Sequence, residues 1–167
     1  MKCKRCGKAV RAKREAFHYT ACGLPDVTLL NVEVRRCAAC GGQSVAIPRI
    51  EELHRLIALA VARKGARLTP AEIRYLRKYL GLSGRDFAAK IGVAPATVSR
   101  WESDAAPQPM GGTAERLLRL MAMAYPPVSA YPVDFKAELP LEQVALDAPA
   151  SLRLSVQPGR KGWQEAA

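Results

Sequence analysis

The chain has 167 residues, of which 26 are Lys or Arg and 15 are Asp or Glu, for a formal net charge of +11. Its apolar content of 49% is enough for a core, yet no apolar run approaches the ~20 residues of a membrane-spanning helix. The first residues, Met1 to Cys6, carry no apolar stretch of the kind that opens a secretory signal. Five cysteines without such a signal point to a reducing cytoplasm, where thiolates stay free for metal.

The charge is uneven. Residues 1–125 hold 22 of the basic and 10 of the acidic side chains, whereas residues 126–167 hold 4 and 5. A basic body with a near-neutral tail suits a polyanionic partner.

Cys3-Lys4-Arg5-Cys6-Gly7 opens the chain, and Cys37-Ala38-Ala39-Cys40-Gly41 repeats its form. Each C-x-x-C turns both sulfurs toward one point, and the trailing glycine takes the positive φ that such a turn requires. Two knuckles close a tetrahedral four-sulfur shell with no open position, which predicts one structural Zn2+ per chain held by Cys3, Cys6, Cys37 and Cys40. A disulfide pair or a redox site is disfavoured, since a redox C-x-x-C belongs in a βαβ setting. Cys22 is left over as a free thiol.

Residues 1–48 read as this zinc module. Val27–Arg36 alternates, placing Leu30, Val32 and Val34 on one face of a strand, with Ala16–Thr20 as its partner. Residues 49–68 read as a linker: Ile50, Leu53, Leu56, Ile57, Ala60 and Val61 recur at helical spacing up to about Arg63, and Arg63–Arg67 follows as a basic connection. His54 lies beside the stripe, partly exposed.

Residues 69–125 are strongly punctuated. Thr69-Pro70-x-Glu72 is a capping box with proline at the first helical position, and Gly81 stops that helix. Ser83-x-x-Asp86 starts a second helix that Gly92 ends. A third runs from Pro95 to about Ser103, and a fourth opens at Thr113, with Leu117, Leu118, Leu120 and Met121 as its apolar face. Short helices with a tight turn between the second and third describe a helix-turn-helix. Ile73, Leu76, Leu80, Phe87, Ala88, Ile91, Val93, Val98 and Trp101 form its expected core.

With Val98 and Trp101 inward, the third helix offers Pro95, Ala96, Thr97, Ser99 and Arg100 to a major groove. Arg100 suits a bidentate bond to guanine O6/N7, and Thr97, on the same face, suits a thymine methyl. Ser99, Arg85 and Lys90 are placed for phosphates. A solvated Arg100 paired with an acidic neighbour is the alternative. Glu102 is expected to pair with Arg77 of the first helix. Residues 126–167 read as a Pro-rich tail in which 133–139 and 152–156 alternate like short strands, either an isolated hairpin or disordered.

The fold class is therefore α+β: a small Cys₄ zinc-knuckle β module, an all-α helix-turn-helix domain and a Pro-rich tail. In its motif order the chain resembles the MqsA-type antitoxins, which join a YgiT-type zinc finger to an Xre-type helix-turn-helix. The resemblance covers roughly residues 1–124. It rests on the two knuckles, on Val98-Ser99-Arg100-Trp101-Glu102, on Pro107-x-Pro109 and on Arg116-Leu117-Leu118-Arg119-Leu120. It implies a structural zinc, a ribonuclease toxin bound through the zinc module, and a homodimer that represses its own operon on a double-stranded operator, with Arg100 reading a base. Ala96 and Ser83-Gly84 depart from the family, which carries an asparagine at the first position and Ser/Thr-Gln at the second. A stand-alone regulator with the same DNA chemistry is the alternative. No Ser/His/Asp set or acid pair is visible, so an enzyme is not expected.

Overall fold

The computed structural model describes residues 1–125, 151–160 and 162–166. Strands β1 (Arg11–His18), β2 (Val27–Arg36) and β3 (Gln43–Ala46) come first. Helices α1 (Ile50–Arg63), α2 (Pro70–Tyr79), α3 (Gly84–Ile91), α4 (Pro95–Trp101) and α5 (Gly112–Ala124) follow. Two strands, β4 (Leu154–Pro158) and β5 (Trp163–Glu165), close the described chain.

All five strands share one sheet built around β2. One edge of β2 pairs antiparallel with β1. Its other edge is divided between β3, antiparallel against Glu33–Arg36, and β4, parallel against Val27–Leu29. β5 pairs antiparallel outside β4.

The inward face of β2 differs from simple alternation. Glu15 pairs with Val32 and Phe17 with Leu29, so Ala16 alone opposes Leu30 and Asn31. Asn31 takes φ 54°, the left-handed conformation that asparagine tolerates best after glycine. This bulge slips the alternation by one residue. Leu29, with Val27, Val32 and Val34, is buried, and Leu30 is only half-buried, which corrects the expected Leu30 face.

The helical punctuation holds as read. Thr69 Oγ1 accepts from the Glu72 N–H at 3.3 Å and Glu72 Oε2 accepts from the Thr69 N–H at 2.7 Å. Ser83 Oγ accepts from the Asp86 N–H at 3.1 Å. Gly92 ends α3 at φ 74°, and Ala94 supplies no side-chain cap to α4. Arg77 grips Glu102 through two bonds, Nε–Oε1 at 2.6 Å and Nη2–Oε2 at 2.7 Å, fixing α4 to α2. Phe87, Val98 and Trp101 are buried, and Leu80, Ile91 and Val93 pack against them half-buried.

α1 packs against α2, α5 and β5. Its buried residues Leu53, Ile57, Ala58 and Val61 join one continuous cluster that runs from the sheet into the helical domain. The basic connection after α1 is held by buried hydrogen bonds and ion pairs. Arg119 of α5, fully buried, donates to the carbonyls of Ala62 (3.0 Å), Lys64 (2.6 Å) and Ala66 (2.7 Å) and to Glu115 Oε1 (2.7 Å). A helix leaves its last carbonyls without intrahelical partners, and a cation there satisfies them. Arg67 pairs with Glu115 at 3.1 Å, and Lys64 with the buried Glu72 at 2.5 Å.

Two further expectations change. On α5 the inward residues are Glu115, Leu118, Arg119, Ala122 and Met123, while Leu117 and Leu120 stay 41% and 44% exposed. The chain's end is not a free tail or an isolated hairpin, since β4 and β5 belong to the sheet. Leu154, Val156 and Trp163 are buried in the common core, which supplies the docking that a lone hairpin lacks. The Trp163 indole N–H donates to the Pro48 carbonyl at 2.8 Å, and the Leu152 N–H reaches Glu72 Oε1 at 3.0 Å. The strand expected over 133–139 lies outside the described residues.

Candidate metal centre and nucleic-acid interface

The two knuckles have matching backbone geometry. The Gly7 N–H donates to the Cys3 carbonyl at 2.8 Å and the Gly41 N–H to the Cys37 carbonyl at 2.9 Å, with φ 73° and 66° at the glycines. Cys3 N–H closes on Lys8 O at 2.7 Å, and Cys37 N–H on Gly42 O at 2.9 Å. β1 leads away from the first knuckle, and β2 enters the second. Their pairing, Arg11 opposite Arg36, brings the two turns together.

The sulfurs of Cys3, Cys6, Cys37 and Cys40 all lie within 4.8 Å of one another. Cys3 and Cys40 are 3.7 Å apart, and Cys6 and Cys37 are 3.4 Å apart. Four sulfurs at the ordinary Zn–S bond length of about 2.3 Å stand ~3.8 Å apart in a tetrahedron, so the donor set fits zinc. A disulfide needs about 2.05 Å, and all five cysteines, Cys22 included, are free.

The four thiols are unevenly poised, with Cys3 and Cys37 lowered and Cys6 and Cys40 raised. Backbone hydrogen bonds from Ala39 and Cys40 lower the Cys37 thiol to about 6, and those from Arg5 and Cys6 lower Cys3. The Lys8 backbone pulls Cys6 the same way, but the crowded sulfurs of Cys37 and Cys40 outweigh it and push Cys6 up to about 12. Amide donors that stabilise thiolates are what a bound cation with four thiolate ligands requires. The chain has one four-cysteine site, filled completely by protein ligands, and its role is structural.

The second candidate surface is the α3–α4 pair. Pro95, Ala96, Ser99 and Arg100 are exposed on α4, and Thr97 is half-buried. Arg85 and Lys90 are exposed on α3. Arg100 is not held by an acidic neighbour, because Asp104 pairs with Arg74 at 3.0 Å and Glu102 with Arg77. The outward residues of α4 thus stand together on a helix fixed by Val98, Trp101 and the Glu102 clamp.

Some linking residues escaped the sequence reading. His54 stands between two tyrosine hydroxyls, with Tyr19 Oη 3.1 Å from Nε2 and Tyr75 Oη 3.1 Å from Nδ1. Glu72, paired with Lys64, and Glu115, paired with Arg67 and Arg119, form buried ion pairs after α1. The one available signal was an unusual number of charges on the apolar sides of the first and fourth predicted helices.

Among known proteins, the helix-turn-helix family model matches residues 73–122, the span from α2 through most of α5. No curated protein and no solved structure matches the chain. A four-cysteine metal site followed by a helix-turn-helix domain is the make-up of a DNA-binding regulator. Among the described residues, no helix is long and apolar enough to cross a membrane.

Proposed function

We propose that the chain is a zinc-stabilised, sequence-specific repressor that acts as the antitoxin of a type II toxin–antitoxin pair. The observation that carries the DNA-binding part is the helix-turn-helix match over 73–122, with Arg100 unpaired and outward on α4. In this reading α4 enters the major groove, Arg100 bonds a guanine, and Thr97, Ala96 and Pro95 line the base edges. Arg85, Lys90 and Ser99 hold phosphates and set the register. One such helix reads few base pairs, so the protein works as a homodimer on two half-sites about one turn apart.

The antitoxin part rests on the MqsA-like order of modules, with the zinc module as the toxin's docking partner and zinc as a structural ion. No catalytic residue is assigned. A stand-alone regulator is the second reading. The observation favouring it is that the family match covers the helix-turn-helix span and leaves the zinc module outside.

A tagged pull-down from the native host, with co-eluting protein identified by mass spectrometry, separates the two. A small ribonuclease in near-stoichiometric amount establishes the antitoxin. A clean dimer with nothing bound, protecting a palindromic site in a footprint, establishes the stand-alone regulator. A failure to protect any site defeats both.

A further inference from the structure

Besides Lys78, Arg85, Lys90, Arg100 and Arg116 of the helical domain, a second group of exposed cations without carboxylate partners lies away from α4 among the described residues. In the helical domain Arg74, Arg77 and Arg119 are all engaged by carboxylates. At the knuckle end of the sheet the balance is different. Lys2, Lys4, Arg5 and Lys8 surround the first knuckle, all exposed, and Arg11 and Lys13 continue the run along β1. Among the described residues none of these six has an ion-pair partner. Among the described residues the carboxylates of β1 and β2 are both taken, Glu15 by Arg36 and Glu33 by Arg35 at 2.6 Å. Lys13 lies close enough to Glu15 to help lower its pKa, after Arg36.

The sheet register gives this charge a shape. Arg11 pairs with Arg36 and Lys13 with Val34, so both β1 cations stand on the same face as Arg36. They line an open groove of about 600 Å³ together with Ala12, Val34 and, from the second knuckle, Cys37, Ala38 and Gly41.

We infer that this groove is a second nucleic-acid surface, one that takes the phosphate backbone of duplex DNA without reading bases. Charge complementarity selects a polyanion, and residues 1–14 contain no aromatic side chain. A protein partner calls for apolar or aromatic anchors at the centre of the contact, and a single strand calls for stacking platforms. Between the cations the lining is small and aliphatic, Ala12, Val34 and Ala38, with Val34 fully buried and no aromatic platform, so a partner meets the cationic rim, which suits duplex phosphates bound by charge. The sheet joins the helical domain through α1 and α2, whereas α4 packs on α3, so this surface is separate from the base-reading helix. It adds affinity and salt sensitivity, not sequence choice, and is independent of whether a toxin exists.

The test is the salt dependence of binding to a duplex of arbitrary sequence, followed by fluorescence anisotropy with the full-length zinc-loaded protein. The variants are R11S/K13S in the groove and R85S/K90S on α3. Each phosphate contact contributes ~0.9 to the log–log slope, so losing two flattens it by about 1.8. That amounts to roughly a tenfold smaller loss of affinity between about 50 and 200 mM salt. The inference expects this change for R11S/K13S, an additive change when R85S/K90S is combined with it, and full zinc content in every variant. An R11S/K13S slope equal to that of the unmodified protein, at full zinc content, overturns it and leaves an acidic protein as the groove's occupant.

Discussion

The Tyr75 hydroxyl donates to the His54 main-chain carbonyl at 2.9 Å and lies 3.1 Å from His54 Nδ1. Its one proton is committed to the carbonyl, so Nδ1 must carry the ring proton and donate to Tyr75. Nε2 is then bare and accepts from the Tyr19 hydroxyl at 3.1 Å. A neutral imidazole in a single tautomer thus ties the turn after β1, α1 and α2 together. It is the polar counterpart of the apolar cluster those elements share.

This arrangement sets a pH dependence. Burial lowers the His54 pKa below its ordinary value of about 6.5. The unfolded chain therefore binds the proton first, and the His54 contribution is whole above about pH 6.5 and declines as pH falls through the folded pKa. Urea midpoints should drop between about pH 7.5 and 5.5 in the unmodified protein and drop less in His54→Phe. Equal pH profiles for the two proteins would count against the neutral tautomer.

Arg119→Met tests the buried joint. The guanidinium serves three carbonyls and Glu115 with no exposure, so its removal leaves Glu115 with Arg67 and the Leu68 N–H alone and strands the end of α1. Breaking a buried pair by deleting one partner costs about 3–5 kcal/mol. Chemical denaturation should show a loss of that size. A loss under about 1 kcal/mol, as for an exposed pair, means that water reaches the joint.

Zinc removal should be felt by the helices. Tyr19 of the turn after β1 and Val27 and Leu29 of β2 belong to the same buried cluster as Ile57 of α1 and Leu76 of α2. Cys37→Ser, or chelation, removes the ion whose binding supplies folding free energy to the knuckles. The expected outcome is a lower denaturation midpoint for helical circular dichroism as well as for the sheet, in one transition. Two separated transitions, the helical one unmoved, would show that the modules fold independently.

How much was legible depends on how local the cause was. The knuckles, the Thr69–Glu72 box, the Ser83 cap and the Arg77–Glu102 clamp are set by near neighbours or by a single helix pair, and the sequence displays each. Leu30 misled because one residue, Asn31, adopts φ 54° and reverses the alternation before it. Leu117 and Leu120 misled because two charged residues, Glu115 and Arg119, take inward positions on α5 that hydropathy assigns to leucine. Arg119 is inward only because α1 ends beside it, a fact of tertiary structure. The docking of β4 against Val27–Leu29 spans over a hundred residues of chain, and no local pattern announces it.

Trp163→Ala probes that closing segment. Trp163 is 7% exposed, donates its indole N–H to Pro48 O, and donates its backbone N–H to Glu52 Oε1 at 3.2 Å. Truncating a buried tryptophan costs about 3–5 kcal/mol. The segment should also become protease-sensitive while zinc content stays unchanged, since no knuckle residue touches it in the sheet pairing. An unchanged melting temperature and cleavage pattern would mean that β4 and β5 contribute little to the folded state.

Arg100→Ala isolates base reading from folding. The side chain is exposed, lacks an acidic partner, and sits on a helix anchored by Val98, Trp101 and Glu102, so the melting temperature should stay within about 1 °C of the unmodified protein. Loss of a bidentate guanine contact removes ~1–3 kcal/mol of discrimination, roughly 5- to 150-fold in preference for the footprinted operator over a scrambled duplex. Affinity for the scrambled duplex should fall far less, because the phosphate contacts proposed for Arg85 and Lys90 are untouched by the substitution. If operator and scrambled duplex weaken by the same factor, Arg100 touches phosphate instead of a base, and the groove assignment of α4 must be redrawn with Thr97 or Ser99 at its centre.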